Sequence, residues 1–120
     1  MQPKTKSDER IEQLTFASVY PHYVNKVERK GQTEANLRKV VSWLTGFSDA
    51  EIDEAIVREL TFLDFFQEAN LHPNANLITG SICGYKVQEI QNPLTQKVRM
   101  LDKLVDELAK GRSMEKILRG

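Results

Sequence analysis

Cysteine is nearly absent: Cys83 is the single one in 120 residues. No intrachain disulfide can form, and a reducing compartment is the natural setting, so the cytoplasm is the expected location. One thiol with His22 and His72, far apart in sequence, is too few ligands at the wrong spacing for a zinc site. No metal and no cofactor is expected. An excess of either charge is missing as well, since 17 Lys+Arg balance 17 Asp+Glu for a formal net charge of zero. That removes the broad attraction on which non-specific nucleic-acid binders rely, while leaving room for a local basic patch. Long apolar runs are lacking, so no bilayer-spanning segment is expected. The opening MQPKTKSDER has no apolar core of the kind a secretory signal carries. Neither an internal repeat nor a low-complexity tract is present.

What the chain does have is helical punctuation. At this length it forms one domain, and it buries roughly two-thirds of its unfolded surface, enough for one core without staples. The stretch NPLTQKVRMLDKLVDELAKG, 92–111, specifies its own ends. Asn92 can cap, Pro93 suits the first turn, Lys110 sits at the negative end of the dipole and Gly111 ends the helix. Leu94, Val98, Leu101, Leu104, Val105 and Leu108 recur between them at helical spacing.

Earlier in the chain, Met1 to Arg10 show no periodicity and read as a disordered arm, 1–10, ahead of a single helical domain, 11–120. A first helix is expected from about Val19 to Lys30, capped by Ser18, with Pro21 tolerated in its first turn. Thr33 caps a second, with Leu37, Val40, Val41 and Leu44 as its stripe, Trp43 beside it and Gly46 as its stop. Ser48-Asp49-Ala50-Glu51 is a capping box for a third helix carrying Ile52, Ala55, Ile56 and Leu60. Thr61 caps a short fourth that buries Phe62, Phe65, Phe66 and Ala69, after a bend or a break. NLHPNAN, 70–76, is the clearest loop. For LITGSICGYKVQEI two readings stand: a helix over about 75–83 stopped by Gly84, or a hairpin turning at Gly80-Ser81. The helix is favoured, because nothing else offers a three-residue arm a partner strand. A single turn follows around Val87 to Ile90, and Ser113 caps a last short helix with Met114, Ile117 and Leu118. The fold expected is all-α, a compact array of about five to seven short helices around the 93–110 helix.

The runs TFASVYPHYVNKVERKG (15–31), LITGSICG (77–84) and VRMLDKLVDELAKGRSMEKILRG (98–120) resemble a bacterial family known only as domain-of-unknown-function family 2200. The resemblance covers everything after about Arg10. It implies a cytoplasmic, helical protein and brings no reaction, ligand or site residue with it.

Several constellations invite a chemical reading. Cys83, between Ile82 and Gly84, reads as a small buried apolar side chain rather than a nucleophile. Gly80 and Gly84 lack the further glycines and the Lys-Ser or Lys-Thr of a phosphate loop, so they read as close packing or turn-making. Tyr20 and Tyr23 fall on the apolar face of the first helix, with their hydroxyls at its edge. His22 points elsewhere, with Lys26 and Arg29 one and two turns along, which makes either an anion-binding edge or a solvated basic face. Arg99, Asp102, Asp106 and Lys110 follow one flank of the 93–110 helix. Asp102 and Asp106 could share a metal or an acid/base task, but each has a cation at helical reach, so a self-neutralising row of ion pairs is expected. A helix-turn-helix over Leu77 to Ile90 fails because Pro93 falls inside the recognition helix and Lys86 is its only cation. The tail is the better basic patch: Lys110, Arg112, Lys116 and Arg119 face only Glu115.

These residues do not specify a reaction. The leading expectation is a non-enzymatic cytoplasmic module working by protein contact, as a homodimer or with another protein partner. Adding Met100 widens the apolar arc of the 93–110 helix to roughly 160°, beyond the ~100° a surface helix needs. Met100, Leu104 and Met114 are the candidate interface. The alternative is an enzyme or small-anion binder whose site joins His22, Lys26 and Arg29, with Tyr85. Nucleic-acid binding through the tail is the weakest reading.

Overall fold

The computed structural model describes residues 3–120. Among the described residues are seven α-helices and one two-stranded hairpin. The helices are α1 (Lys6–Gln13), α2 (Phe16–Glu28), α3 (Glu34–Thr45), α4 (Asp49–Val57), α5 (Phe62–Glu68), α6 (Pro93–Ala109) and α7 (Met114–Ile117). The fold is predominantly helical, as the punctuation predicts.

Side-chain caps account for most helix starts. Thr33, Ser48, Thr61 and Asn92 each accept from the backbone N–H three residues on, and at Ser48 the Glu51 carboxylate returns the bond. α2 starts earlier than the spacing suggests. Its cap is Thr15 and not Ser18, whose hydroxyl instead donates back to the Thr15 carbonyl at 2.8 Å. Pro21 therefore stands inside the helix rather than in its first turn. The polar N-terminal segment is helical from Lys6, which corrects the expected disordered arm over Lys6–Arg10; Met1 and Gln2 lie outside the described residues. α1 shows little apolar period because it buries only Ile11 and Glu12. A Thr5–Asp8 capping box holds its start, with both bonds at 3.0 Å.

α6 is the axis of the molecule, with α1, α2, α3, α5, α7 and the hairpin all packed on it. Val98, Leu101, Leu104, Val105 and Leu108 face these neighbours and are buried. Met100 and Leu104 are 6% and 0% exposed, so the broad arc is covered by this chain. That corrects their assignment to an interface: a helix wrapped on several sides needs a wide stripe without any second subunit. Met114 is half-buried against the same core. At the other end of the core Phe16 stacks on Phe65, ring centroids 4.5 Å apart, with Phe47, Phe62 and Phe66 around them. The junction at Leu60 and Thr61 is a break. Phe16 N–H donates to the Leu60 carbonyl at 2.9 Å and Phe62 N–H to Leu14 at 2.8 Å, tying the starts of α2 and α5 together.

Residues 75–83 are not a helix. Ala75–Leu77 is a single 3₁₀ turn, followed by β1 (Ser81–Ile82) and β2 (Tyr85–Lys86), antiparallel with Ile82 opposite Tyr85. The turn is Cys83-Gly84, with φ of +52° and +82°, the double left-handed geometry of tight hairpins. Gly80, at φ +108°, precedes the hairpin and does not turn it. Positive φ at Gly80 and Cys83, both inside the expected span, excludes a helix here, and the support that a lone hairpin lacks comes from α6, where Lys103 Nζ donates to the Ser81 carbonyl at 3.1 Å. Cys83 is exposed at the tip, which corrects its reading as a buried side chain. Val87–Glu89 forms the expected single turn before α6.

Candidate functional site

The flank of α6 is ion-paired as its spacing predicts. Arg99 Nη1 donates to Asp102 Oδ2 at 3.0 Å, and Lys110 Nζ meets Asp106 Oδ2, also at 3.0 Å. What the spacing does not reveal is the second set of partners on α2. Tyr23 donates its hydroxyl to Asp102 Oδ1 at 2.6 Å, and Lys26 Nζ lies 3.2 Å from Asp106 Oδ1. Burial foremost, then the neighbouring Asp102 charge, pushes the Tyr23 hydroxyl well above its ordinary pKa. Burial also acts to raise Asp106, but Lys110 and Lys26 outweigh it and hold the carboxyl below the usual value. Tyr20 is likewise buried at its ring, and its hydroxyl donates to Glu34 at 2.7 Å.

The sequence-predicted anion site divides. His22 and Lys26 are exposed on α2, Arg29 is exposed at its C-cap, and Lys26 is committed to Asp106. Tyr85 stands apart from them on β2. It lines a groove of about 640 Å³ between α1, the hairpin and the first turns of α6. Asp8, Ile11, Lys86, Ile90, Thr95 and Arg99 are among its other walls. Tyr85 is 54% exposed, and its ring lies against the Arg99 guanidinium, 5.7 Å from carbon to centroid. Tyr23, Asp102, Arg99 and Tyr85 thus run in sequence from the core to the groove.

Arg99 is the uncommon group in this wall. Nη1 is spent on Asp102, whereas Nε is buried and has no hydrogen-bond partner among the described residues. Asp8 faces the same groove. Its Oδ1 accepts from the Thr95 hydroxyl at 2.6 Å and its Oδ2 from the Thr5 N–H at 3.0 Å. Those bonds, the Thr95 hydroxyl foremost, lower the Asp8 pKa. Asp8 is missed from sequence because it sits in a segment with no apolar period, although T-x-x-D is a readable cap. Arg99 is visible only as a counter-ion until the hairpin is placed beside it.

A second, shallower groove of about 530 Å³ lies along α3, lined by Arg38, Lys39, Trp43 and Asp49. There Arg38 Nη2 pairs with Asp53 at 2.7 Å, and Trp43 stacks on His72 at 4.1 Å between centroids. In the tail, Arg112 and Arg119 both close on Glu107, at 3.0 and 2.8 Å, and Lys110 is held by Asp106. Three of the four tail cations therefore have carboxylate partners inside the chain. Among the described residues no group of three or more His, Cys, Asp and Glu is placed to hold a metal ion, and no helix is long and apolar enough to cross a membrane.

A family model described as "uncharacterized protein conserved in bacteria (DUF2200)" matches residues 10–119. The chain belongs to the DUF2200 family. Tyr85, Thr95 and Arg99 lie inside the matched span, and Asp8 precedes it. The fold of this DUF2200 chain is similar to the crystal structure of uncharacterized protein SP1917, at 40% identity and a TM-score of 0.86, over 95% of this chain and 94% of that one. No curated protein matches it.

Proposed function

We propose that this DUF2200 protein is a binding module that takes a small carboxylate-bearing ligand in the groove between α1, the hairpin and α6. The observation that carries the proposal is the buried, unpartnered Nε of Arg99. An amide-like donor left without a partner costs about 1–3 kcal/mol, and more when charged. Nε and Nη2 form the edge of a guanidinium that grips a carboxylate with two parallel bonds. Asp102 holds the opposite side of the fork and is itself held by Tyr23, so the edge is oriented before a ligand arrives. Tyr85 contributes a ring beside the anion; because Nε is covered, the exposed Tyr85 side chain against the guanidinium must move aside as the ligand enters. The polar groups of this wall are fixed by structural bonds, which favours holding a ligand over transforming it.

The reading is tested by titrating the protein with 3-phenylpropanoate while following the Thr95 amide resonance and, in wild type, also the Arg99 Nε–Hε resonance. The expected outcome is a saturable shift in wild type and a loss of at least tenfold in affinity in Arg99→Lys, which keeps the charge and removes the fork. An unmoved resonance, or equal binding by the lysine variant, defeats it.

Contact with a protein partner, including a second copy of this chain, is the second reading. Leu14 and Leu63 support it: each is 40% exposed, and the Phe62–Leu14 backbone bond brings their segments together. Light scattering over a tenfold concentration range tests it, with a mass that rises toward the dimer in wild type and not in Leu63→Asp. A monomer mass at every concentration removes self-association. Both readings place the protein in the cytoplasm, on the strength of its single cysteine.

A further inference from the structure

The walls of the groove carry charge of both signs. Lys86 and Glu89 face each other at 3.9 Å, and Thr5 and Asn92 are engaged as helix caps. Asp8 and Arg99 are the charged groups of the groove that are half-buried, whereas Lys86 and Glu89 are exposed. Thr95, which holds Asp8, lies one turn before Arg99 on the same face of α6. Side chains so placed have their Cβ atoms roughly 5–6 Å apart. The carboxylate that Thr95 holds and the guanidinium of Arg99 therefore line one groove, an anion and a cation together.

Each oxygen of Asp8 accepts one bond within the chain and has a second lone pair left for a ligand. Like any aspartate it is ionised at neutral pH, and the bonds from Thr95 and Thr5 favour that form further. A simple carboxylate would occupy Arg99 and leave Asp8 facing it as a like charge. A ligand with its own cation removes that conflict and uses both groups. Beyond the charges, the groove offers Ile11, Ile90 and the Tyr85 ring, an apolar wall. Its volume of about 640 Å³ suits a small solute.

We infer that the groove binds a zwitterion of the α-amino-acid class with an apolar side chain, its ammonium on Asp8, its carboxylate on the Nε edge of Arg99, and its side chain against Tyr85 and Ile90. This rests on the carboxylate-binding reading above and adds the cation. An α-amino acid carries its ammonium and its carboxylate on one carbon, which suits an anion and a cation that line one groove.

Three probes separate the two inferences on the wild-type protein: L-phenylalanine, 3-phenylpropanoate, which lacks the ammonium, and phenethylamine, which lacks the carboxylate. Binding is read from the Arg99 Nε–Hε and Thr95 amide resonances. L-phenylalanine is expected to bind at least tenfold more tightly than either analogue. Asp8→Asn, which keeps the shape of the side chain, is expected to abolish the advantage of L-phenylalanine over 3-phenylpropanoate. Equal binding of L-phenylalanine and 3-phenylpropanoate overturns the zwitterion and leaves the Arg99 reading standing. Binding of phenethylamine as tightly as L-phenylalanine, or no response to any probe, overturns both. Should Asp8→Asn unfold through loss of its capping bond, the three-probe comparison in wild type still decides.

Discussion

Glu107 shows how much one residue can settle in a small domain. It is 4% exposed, and it is the shared counter-ion of Arg112 and Arg119. Arg119 is itself mostly covered, and its carbonyl accepts from Asn74 at 2.9 Å, so the last residues are clamped across the molecule. Removing one partner of such a cluster strands the others. Glu107→Ala is expected to lower stability by about 2–4 kcal/mol in urea unfolding, with amide exchange rising first over 113–120. Trp43 presents the opposite case. Its Nε1 is buried with no partner, although its ring stacks on His72. Phenylalanine keeps a ring there and removes the stranded donor. Trp43→Phe is therefore expected to cost about 1 kcal/mol or less, where a large-to-small change in a core commonly costs several. Circular dichroism must report it, since Trp43 is the only tryptophan.

Among the elements, the hairpin is the one whose local signals and final structure part most clearly. Its turn places Cys83 at φ +52°, where a side chain other than Asn or Asp is strained. Cys83→Asn converts the turn to Asn-Gly and is expected to raise stability by up to about 1 kcal/mol, measured as an increase in the unfolding midpoint. The exposed thiol of the unmodified protein should react with a thiol reagent in the native state, at one equivalent per chain; resistance until unfolding would contradict the turn. The capped helices behave differently. Thr33, Ser48, Thr61 and Asn92 do locally what their residue types favour, and the elements they open appear where the caps stand. A cap depends on groups three residues away, and so it is readable. The two strands pair locally, but the support that holds so short a hairpin comes from Lys103 on α6, 22 positions from Ser81, and so it is not.

For the molecule as a whole, ionisation bounds stability from both sides. Asp106 has a folded pKa below its unfolded one, so it stabilises above the ordinary carboxylate range, and that contribution is lost as pH falls through the folded value. Asp8 adds in the same sense. Tyr20 and Tyr23 are raised, chiefly by burial, so their contribution is complete below the ordinary phenol range and is lost as pH rises beyond it. Asp106→Asn is expected to be less stable than wild type at pH 7 and to converge with it near pH 2, in urea unfolding followed across pH. A deficit that persists unchanged in acid would mean that the lysine pairs contribute nothing.

The order of amino acids carried the helical class, the caps of α3 to α6, the apolar stripes and the row of ion pairs along α6, because each depends on neighbours within about a turn; α4 stops at Val57, short of the Leu60 expected in it. Whether the broad face of α6 meets this chain or another lay outside that range. So did the hairpin, the helical state of Lys6–Arg10, and the meeting of Asp8, Tyr85 and Arg99 in one groove. Those follow from packing between segments as far apart as α1 and α6, where a polar stretch is ordered by contacts that no local period announces. His22, Lys26 and Arg29 lie along one helix and its C-cap and stayed exposed, while the groove assembled from three separate elements.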